Sequence, residues 1–300
     1  MAPEIAVLIN PTSGRGRGAR AAEVVLPHLR HAGVRVIRLQ GRDGDEASDL
    51  AHAAVSDGVE GLVVIGGDGI VHLAAQALAG TEIPLGIIPA GTGNDTARCL
   101  GIDRANPIRA AEVVVDGRTR AVDVADADGT MVTTVVAAGF DSRVSERANA
   151  MRWPRGQLRY TLATLAELRV FEPIRYSLCL DGEPLDVHAM LVAVGNAPSY
   201  GGGLRICEGA QIDDGQLDVV VIKPLSKPEL VRVYPRLFRG THVTHRQYER
   251  HRVHVVSIVA RDVVAYGDGE RLGSLPLTVT ARPGALRVYA PAVEEADHVA

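Results

Sequence analysis

Short apolar runs that alternate with helical stretches constrain the fold of residues 1–122 more than any other feature. The runs are 5–9, 34–39, 61–65 and 84–88, and the helical stretches between them are 19–32, 46–56 and 71–78. Strands of this kind, separated by helices, form parallel sheets that are covered on both faces. The sequence therefore predicts an α/β domain whose ligands bind beyond the carboxyl ends of the strands.

The pattern changes after residue 122, which we take as a domain boundary. Strand-like segments linked by short turns follow, and they are 174–180, 185–195, 217–222, 252–259, 262–266, 276–281 and 286–290. A helical stretch at 144–170 precedes them, and a capping box from Ser226 to Glu229 starts another helix. We expect residues 123–300 to form a mainly β domain, either a sandwich or an open barrel. Whether the last segment returns to the first domain stays open.

Charge and cysteine content exclude several classes of protein. Lys and Arg number 32 against 36 Asp and Glu, which gives a net charge of −4 and argues against nucleic acid as the main partner. The three cysteines form no CxxC pair, so we expect no zinc cluster and a reduced, cytoplasmic setting. No apolar run approaches the ~20 residues of a membrane span, and the start of the chain lacks a signal-peptide pattern.

Gly66-Gly67-Asp68-Gly69 follows the third predicted strand and precedes a helix. Glycines let a ligand approach the backbone, and a helix N-terminus attracts anions. Asp68 in the same turn would repel a phosphate unless a cation lay between them. The turn therefore predicts a phosphate ligand with Mg²⁺ near Asp68. The alternative is a tight turn in which Asp68 caps the helix.

Two further turns follow neighbouring strands. They are Asn10-Pro11-Thr12-Ser13-Gly14 and Gly91-Thr92-Gly93-Asn94-Asp95. Each could be an ordinary polar turn or cap, but three such turns on one parallel sheet would converge, which favours a nucleotide phosphate site. The GxxxxGK[ST] and GxGxxG spacings are both absent at these turns.

With these three motifs in this order, the chain resembles the diacylglycerol kinase/sphingosine kinase catalytic-domain family, and in particular its bacterial lipid kinases. The segments 213–218 (DDGQLD) and 268–270 (DGE) also match family elements. The resemblance implies a Rossmann-like, NAD kinase-like α/β domain and a C-terminal β-sandwich, with the active site in the cleft between them. It further implies ATP and Mg²⁺, with one catalytic Mg²⁺ and a second, structural one left open.

The resemblance assigns roles to individual residues. Those implied to hold ATP are Asn10, Pro11, Thr12, Ser13, Gly14, Gly66, Gly67, Asp68, Gly69, Gly91, Thr92, Asn94 and Asp95. Glu270, supported by Asp268, would take the proton from a lipid hydroxyl, and Asp68 would organise Mg²⁺. Asp123 would complete the polar site, while Arg15 and Arg20 would face phosphates or the membrane. The implied structural metal set is Gln211, Asp214 and Gln216.

Some residues depart from the family pattern. Ile70 follows GGDG where the family has Thr, and Leu73 and Gln40 replace a frequent Glu and Thr. These changes leave open a catalytically inactive nucleotide- or lipid-binding regulator. A hairpin turn is the alternative for 268–270, because Asp181-Gly182-Glu183 repeats the same tripeptide.

The resemblance implies an ATP-dependent lipid kinase, with diacylglycerol as the first choice of substrate and phosphatidic acid as its product. A sphingoid base, phosphatidylglycerol or a soluble substrate, as in NAD kinases, stays open. We expect peripheral association with an anionic membrane at its inner face, and the resemblance allows a homodimer. Two basic segments could reach a membrane: one is Arg143, Arg147, Arg152, Arg155 and Arg159 around Trp153, and the other is Arg232, Arg236 and Arg239, in a helix that we expect Pro235 to interrupt.

Overall fold

The computed structural model describes residues 3–140 and 172–292, together with Val144, Arg147 and Met151. The chain divides into two compact units. The first unit combines the residues before Asp123 with those after Gly284, and the second unit is Asp123–Gly284. The other members of the first basic segment (Arg143, Arg152, Trp153, Arg155 and Arg159) lie outside the described residues, as does nearly all of the predicted helix at 144–170.

The first unit is an α/β domain built on a parallel sheet. Its strands are β1 (Glu4–Ile9), β2 (Arg35–Leu39), β3 (Gly61–Gly66), β4 (Leu85–Pro89) and the end of β16 (Leu277–Tyr289). Their order is β2-β1-β3-β4-β16, and every neighbouring pair is parallel. The helices are α1 (Ser13–His31), α2 (Gly44–Ser56), α3 (Asp68–Leu78), α4 (Asp95–Cys99) and α5 (Pro107–Val115). Strands β3 and β4 are buried along their whole length, which is why their sequences are continuously apolar.

Two helices of this unit differ from the sequence expectation. Helix α1 begins within the predicted turn, at Ser13, but Gly14, Arg15 and Gly16 have left-handed φ angles of 56°, 61° and 88°. The regular helix therefore starts after them. Helix α5 was not predicted, although Asn106 caps it by accepting hydrogen bonds from the amides of its first turn.

The second unit is a β-sandwich, which confirms that expectation. One sheet is antiparallel in the order β12-β11-β10-β7-β14-β15. Its strands are β7 (Val135–Gly139), β10 (Leu191–Gly195), β11 (Leu217–Ile222), β12 (Tyr248–Val253), β14 (Val264–Gly267) and β15 (Glu270–Ser274). The other sheet contains β5 (Thr119–Ala127) from Asp123 onward, β6 (Thr130–Val132), β8 (Ile174–Leu180), β9 (Glu183–Ala189), β13 (Val255–Val259) and the start of β16. Apolar side chains of both sheets, such as Val192 and Val219 against Tyr176 and Ile258, form the core between them.

The opposite face of the antiparallel sheet is covered by helix α6 (Lys227–Leu237). The predicted capping box is present, since Ser226 and Glu229 exchange their side-chain and backbone hydrogen bonds. The expectation that Pro235 interrupts this helix was wrong, because α6 continues through it to Leu237. No helix among the described residues combines the length and the apolar character that a membrane span requires.

The predicted strands 276–281 and 286–290 are a single strand, β16. Pro283 and Gly284 are residues that commonly end a strand, yet β16 continues through them. The strand passes from the second unit into the first at this point. Segments 185–195 and 252–259 each break into two strands instead.

Candidate active site

Gly67 and Gly91 lie backbone against backbone at the ends of β3 and β4. A Cβ atom added to Gly67 would lie 3.0 Å from the Cα of Gly91, and one added to Gly91 would clash with the Cα of Gly67. Gly91 has no room for a Cβ atom and Gly67 has almost none, which shows that the GGDG and GTGND turns touch. The amide of Gly91 also donates to the carbonyl of Gly66 (3.1 Å) and to Oδ1 of Asn94 (2.9 Å).

Asp68 ties the same two turns together through its carboxylate. Its oxygens accept hydrogen bonds from the amides of Asn94 (2.8 Å) and Asp95 (2.7 Å), which start helix α4. Asn94 is held in the left-handed region (φ 53°) by its side chain, which bonds to both backbone groups of Gly91. Asp68 thus caps α4 rather than its own helix α3.

The turn after β1 joins the other two. A Cβ on Gly14 would clash with the carbonyl of Ala90, and one on Gly67 would lie 3.4 Å from Oγ of Ser13. Oδ1 of Asn10 accepts hydrogen bonds from the amide and hydroxyl of Thr12 (3.2 and 2.9 Å), which fixes this turn. The structure thus brings the three turns into contact within the first unit.

These turns present unpaired donors suited to an anion. The amides of Gly67, Thr92 and Gly93 have no hydrogen-bond partner among the described residues. Gly67 is also the N-cap of the eleven-residue helix α3, whose N-terminus carries positive partial charge. Since glycines, open amides and a helix N-terminus are the usual elements of phosphate sites, these residues fit the phosphates of ATP.

A basic residue that the sequence analysis missed lies at these turns. The guanidinium of Arg17 donates to the carbonyl of Gly91 and lies close to Gly14. Arg15 and Arg20, which were predicted to face phosphates or the membrane, are both exposed. The segment GRGRG places two arginines next to the predicted phosphate-binding turn. This pattern indicates a basic residue at the site but does not show which of the two arginines contacts Gly91.

The carboxylates of this site fit a divalent cation only in company with phosphate. Asp95 is buried beside Asp68 and forms an ion pair with Arg98 (3.4 Å). The described residues contain no group of three or more His, Cys, Asp or Glu side chains that could hold a metal. Mg²⁺ is usually bound by one or two carboxylates plus substrate phosphates and water, a role that Asp68 and Asp95 could fill.

Ile70, where the family has Thr, packs inward. It is 5% exposed, and its Cγ2 would lie 2.6 Å from a Cβ on Gly66. This side chain fills the space beside Gly66.

Asp268 and Gly269 form the hairpin turn between β14 and β15, with φ angles of 52° and 90°. The carboxylate of Asp268 accepts four hydrogen bonds, from the amide and hydroxyl of Thr133 (2.9 and 3.2 Å) and from those of Thr134 (2.8 and 2.6 Å). Both oxygens are thereby committed to the protein. Asp268 holds the turn, whereas Glu270 is exposed and its carboxylate has no hydrogen-bond partner among the described residues.

The second Asp-Gly-Glu tripeptide is also a hairpin turn, as predicted, with left-handed φ angles at Asp181 and Gly182. The carboxylate of Asp181 accepts hydrogen bonds from the amides of His254 and Val255 but stays exposed. Both tripeptides therefore share one turn geometry. They differ in that Asp268 is buried and clamped by two threonines.

A buried polar network lies behind the Asp268 turn, and the sequence analysis missed most of it. Asn196 donates from its side chain to the carbonyls of Thr133 (3.0 Å) and Asp123 (2.9 Å), while its buried Oδ1 has no hydrogen-bond partner in the part of the chain that the structure describes. The carboxylate of Asp123, whose predicted role is to complete the polar site, accepts hydrogen bonds from the amides of Gly215 (2.6 Å) and Gly284 (2.7 Å) within the second unit. No local sequence pattern predicts these contacts.

The predicted structural metal set contains one side-chain ligand, Asp214. Its carboxylate forms an ion pair with the guanidinium of Arg252 and accepts a hydrogen bond from the amide of Gln216 (3.0 Å). The guanidinium of Arg252 thus already supplies positive charge beside this carboxylate. The set of Gln211, Asp214 and Gln216 stays a prediction.

Comparison with known proteins identifies both units. Residues 4–127 match the diacylglycerol kinase catalytic domain, and residues 134–290 match the YegS C-terminal NAD kinase beta sandwich-like domain. The chain is 43% identical over 294 residues to a protein of Mycobacterium tuberculosis named diacylglycerol kinase, covering 96% of this chain and 95% of that protein. It is 30% identical to a protein of Stenotrophomonas maltophilia named "Probable lipid kinase YegS-like", covering 93% and 94%.

A solved structure supports the fold. The crystal structure of a diacylglycerol kinase from Bacillus anthracis superimposes with a TM-score of 0.74 at 22% identity, covering 96% of this chain and 97% of that one. The chain belongs to the diacylglycerol kinase family. It is a lipid kinase, and ATP is the phosphate donor that this family implies.

Proposed function

We propose that this enzyme transfers the γ-phosphate of ATP to the hydroxyl of diacylglycerol, giving phosphatidic acid and ADP, with Mg²⁺ as the metal. The observation that carries the choice of lipid is the 43% identity, across nearly the whole chain, to a protein named diacylglycerol kinase. The name of the second relative, "Probable lipid kinase YegS-like", specifies no lipid, and another lipid is therefore the alternative substrate.

The open amides of Gly67, Thr92 and Gly93 support a role of the first unit in binding phosphates. Backbone donors that are held in place before the reaction stabilise the charge that develops on a transferred phosphoryl group. ATP supplies the phosphoryl group, and Mg²⁺ neutralises its charge. In the proposal Asp68 and Asp95 hold the metal, directly or through water.

Glu270 is the proposed general base. The lipid oxygen forms its bond to the γ-phosphorus as the bond from that phosphorus to ADP breaks, and the proton of the lipid hydroxyl passes to the carboxylate of Glu270. Asp268 is a positioning residue here, because its two oxygens already accept four hydrogen bonds. Glu270 has no such commitment among the described residues.

The lipid substrate implies that the enzyme works at a membrane, and we place it at the inner, cytoplasmic face as a peripheral protein. A homodimer stays a prediction of the family resemblance.

The test is a transfer assay with labelled ATP, Mg²⁺ and mixed micelles of diacylglycerol, a sphingoid base or phosphatidylglycerol. Glu270→Gln should lose about 10²–10⁴-fold in rate. Glu183→Gln is the matched control, because Glu183 follows the other Asp-Gly turn and is also exposed. Label on diacylglycerol that depends on Glu270 alone supports the proposal; label on another lipid, or equal loss in both variants, contradicts it.

A further inference from the structure

The outward side of helix α6 and its C-cap carries an apolar strip between two arginines. We call it the α6 outer face and define it by Pro228, Val231, Arg232, Pro235, Phe238 and Arg239, all of which are exposed. Val231 is 58% exposed and Phe238 44%. Among the described residues only six large hydrophobic side chains are exposed to this degree, and two of them lie on this one face.

The inward side of α6 is already packed against the protein. Leu230, Val233 and Leu237 are buried, and Leu230 and Leu237 pack with the cluster that covers the antiparallel sheet. The helix is therefore anchored by one side, and the apolar residues of the other side are not needed to hold it. The ring of Phe238 packs at a steep angle against the ring of Tyr234, with the two centroids 5.8 Å apart. Exposed apolar groups gathered on one surface commonly mark a binding site.

The charges on this face have one sign. Arg232 and Arg239 form no ion pair among the described residues. The single acidic residue of α6, Glu229, is taken up by the capping box and lies within 3.5 Å of Arg246. Arg236, which the sequence grouped with the other two, is different, because its guanidinium donates to Thr241 and Thr244.

We propose that the α6 outer face docks on an anionic lipid bilayer. Val231 and Phe238 would enter the interfacial region while Arg232 and Arg239 meet lipid phosphates. An amphipathic helix of this kind binds through buried apolar area and attraction to anionic lipids. The inference rests on the proposed function, since a lipid substrate requires the enzyme to reach a bilayer.

A second copy of the chain is a weaker occupant for this face. Two-fold packing of identical faces would bring Arg232 and Arg239 of one copy near the same residues of the other, without an acidic residue of the face to balance them. An anionic bilayer instead supplies both the apolar layer and the opposite charge.

The experiment measures partitioning of the purified full chain onto vesicles of phosphatidylcholine alone and of phosphatidylcholine mixed with phosphatidylglycerol. We expect clear preference for the mixed vesicles. Arg232→Glu with Arg239→Glu should weaken partitioning by at least about fivefold per residue. Val231→Glu with Phe238→Glu should weaken it on the same scale.

Matched controls place the same changes elsewhere. Val24→Glu with Val115→Glu alters two valines that are 46% and 38% exposed, and Arg30→Glu with Arg104→Glu reverses two exposed arginines. Neither pair should change partitioning by more than twofold. Thermal melting of every variant checks that the fold stays intact, which we expect because all of these positions are exposed.

A short-chain diacylglycerol, presented below its micelle concentration, separates this inference from the proposed function. If the inference holds, the α6 variants keep their rate on this dispersed lipid and lose rate only on vesicles. Unchanged partitioning in the α6 variants would overturn it, as would equal binding to neutral vesicles. Self-association that these variants abolish while vesicle binding persists would assign the face to a second copy. If no lipid is phosphorylated, the proposed function fails, and the partition data still decide the docking surface.

Discussion

The hydroxyl of Thr134 donates to the carboxylate of Asp268 at 2.6 Å, and the amide of the same residue donates to the same oxygen at 2.8 Å. Thr133 binds the other oxygen in the same way. Two consecutive threonines thus fix the turn that leads to Glu270, although they lie more than 130 residues away in sequence.

Thr134→Val keeps the shape of the side chain and removes its hydroxyl. We expect a loss of about 1.5–3 kcal/mol of unfolding free energy, because a buried carboxylate loses a charge-assisted donor. We also expect kcat to fall while KM for ATP stays constant, since Thr134 belongs to the second unit and the phosphate-binding turns to the first. Denaturant unfolding and steady-state kinetics measure both. Thr134→Ser restores the hydroxyl, and the prediction fails if Ser and Val at this position behave alike.

Gly91→Ala tests the contact between the GGDG and GTGND turns. The new Cβ would clash with the Cα of Gly67, and neither backbone can rotate away as a side chain could. We expect a loss of about 1–3 kcal/mol in stability and a raised KM for ATP, because the open amides beside Gly91 would shift.

Gly44→Ala is the control for this change. Gly44 lies in the first turn of α2, and a Cβ there would meet nothing within 4 Å. Since alanine favours helix more than glycine does, this variant should melt no lower than the wild type. An unchanged KM for ATP in Gly91→Ala would contradict the proposed role of the turn.

The sequence alone predicted the parts of the molecule that depend on local patterns. Glycines at strand ends indicated the three turns, and the Ser226–Glu229 spacing indicated the cap of α6. Continuous apolar runs indicated the buried parallel strands. Each of these features is decided by residues that are neighbours along the chain.

The missed features depend on contacts between distant residues. Asn196 reaches Thr133 and Asp123 across 63 and 73 positions, and Arg252 reaches Asp214 across 38. The local patterns of a single sequence do not indicate contacts between residues this far apart along the chain. The contact of Arg252 with Asp214 is one that the sequence did not predict, and the metal set around Asp214 stays a prediction.

The ion pair of Arg252 with Asp214 predicts how the 213–218 loop responds to metal. If the guanidinium of Arg252 neutralises Asp214 in place of a structural cation, removal of metal by EDTA should leave the melting temperature of the wild type unchanged. Arg252→Gln should lower stability by up to about 1 kcal/mol, because the pair is partly exposed, and should make melting sensitive to added Mg²⁺. Differential scanning fluorimetry with and without EDTA measures this. A wild-type melting temperature that falls with EDTA would restore the predicted metal set.

His242 predicts a pH dependence of stability. Burial lowers the pKa of its imidazole, which is 1% exposed, packs edge-on to Tyr248 and has Nε2 3.1 Å from the carbonyl of Ile206. Nearby Glu208 opposes this shift and Arg236 adds to it. Because the unfolded state binds a proton near pH 6.5 and the folded state only at lower pH, unfolding free energy should fall as pH drops below 6.5.

His242→Gln keeps a donor that can reach the carbonyl of Ile206 and removes the titrating group. We expect its unfolding free energy to decline less between pH 7 and pH 5 than that of the wild type. His52→Gln, at an exposed position on α2, is the control and should follow the wild-type curve. Urea unfolding at a series of pH values measures the three slopes. Parallel curves for His242→Gln and the wild type would show that the folded protein protonates His242 without cost, contrary to the burial of its Nδ1, which has no hydrogen-bond partner among the described residues.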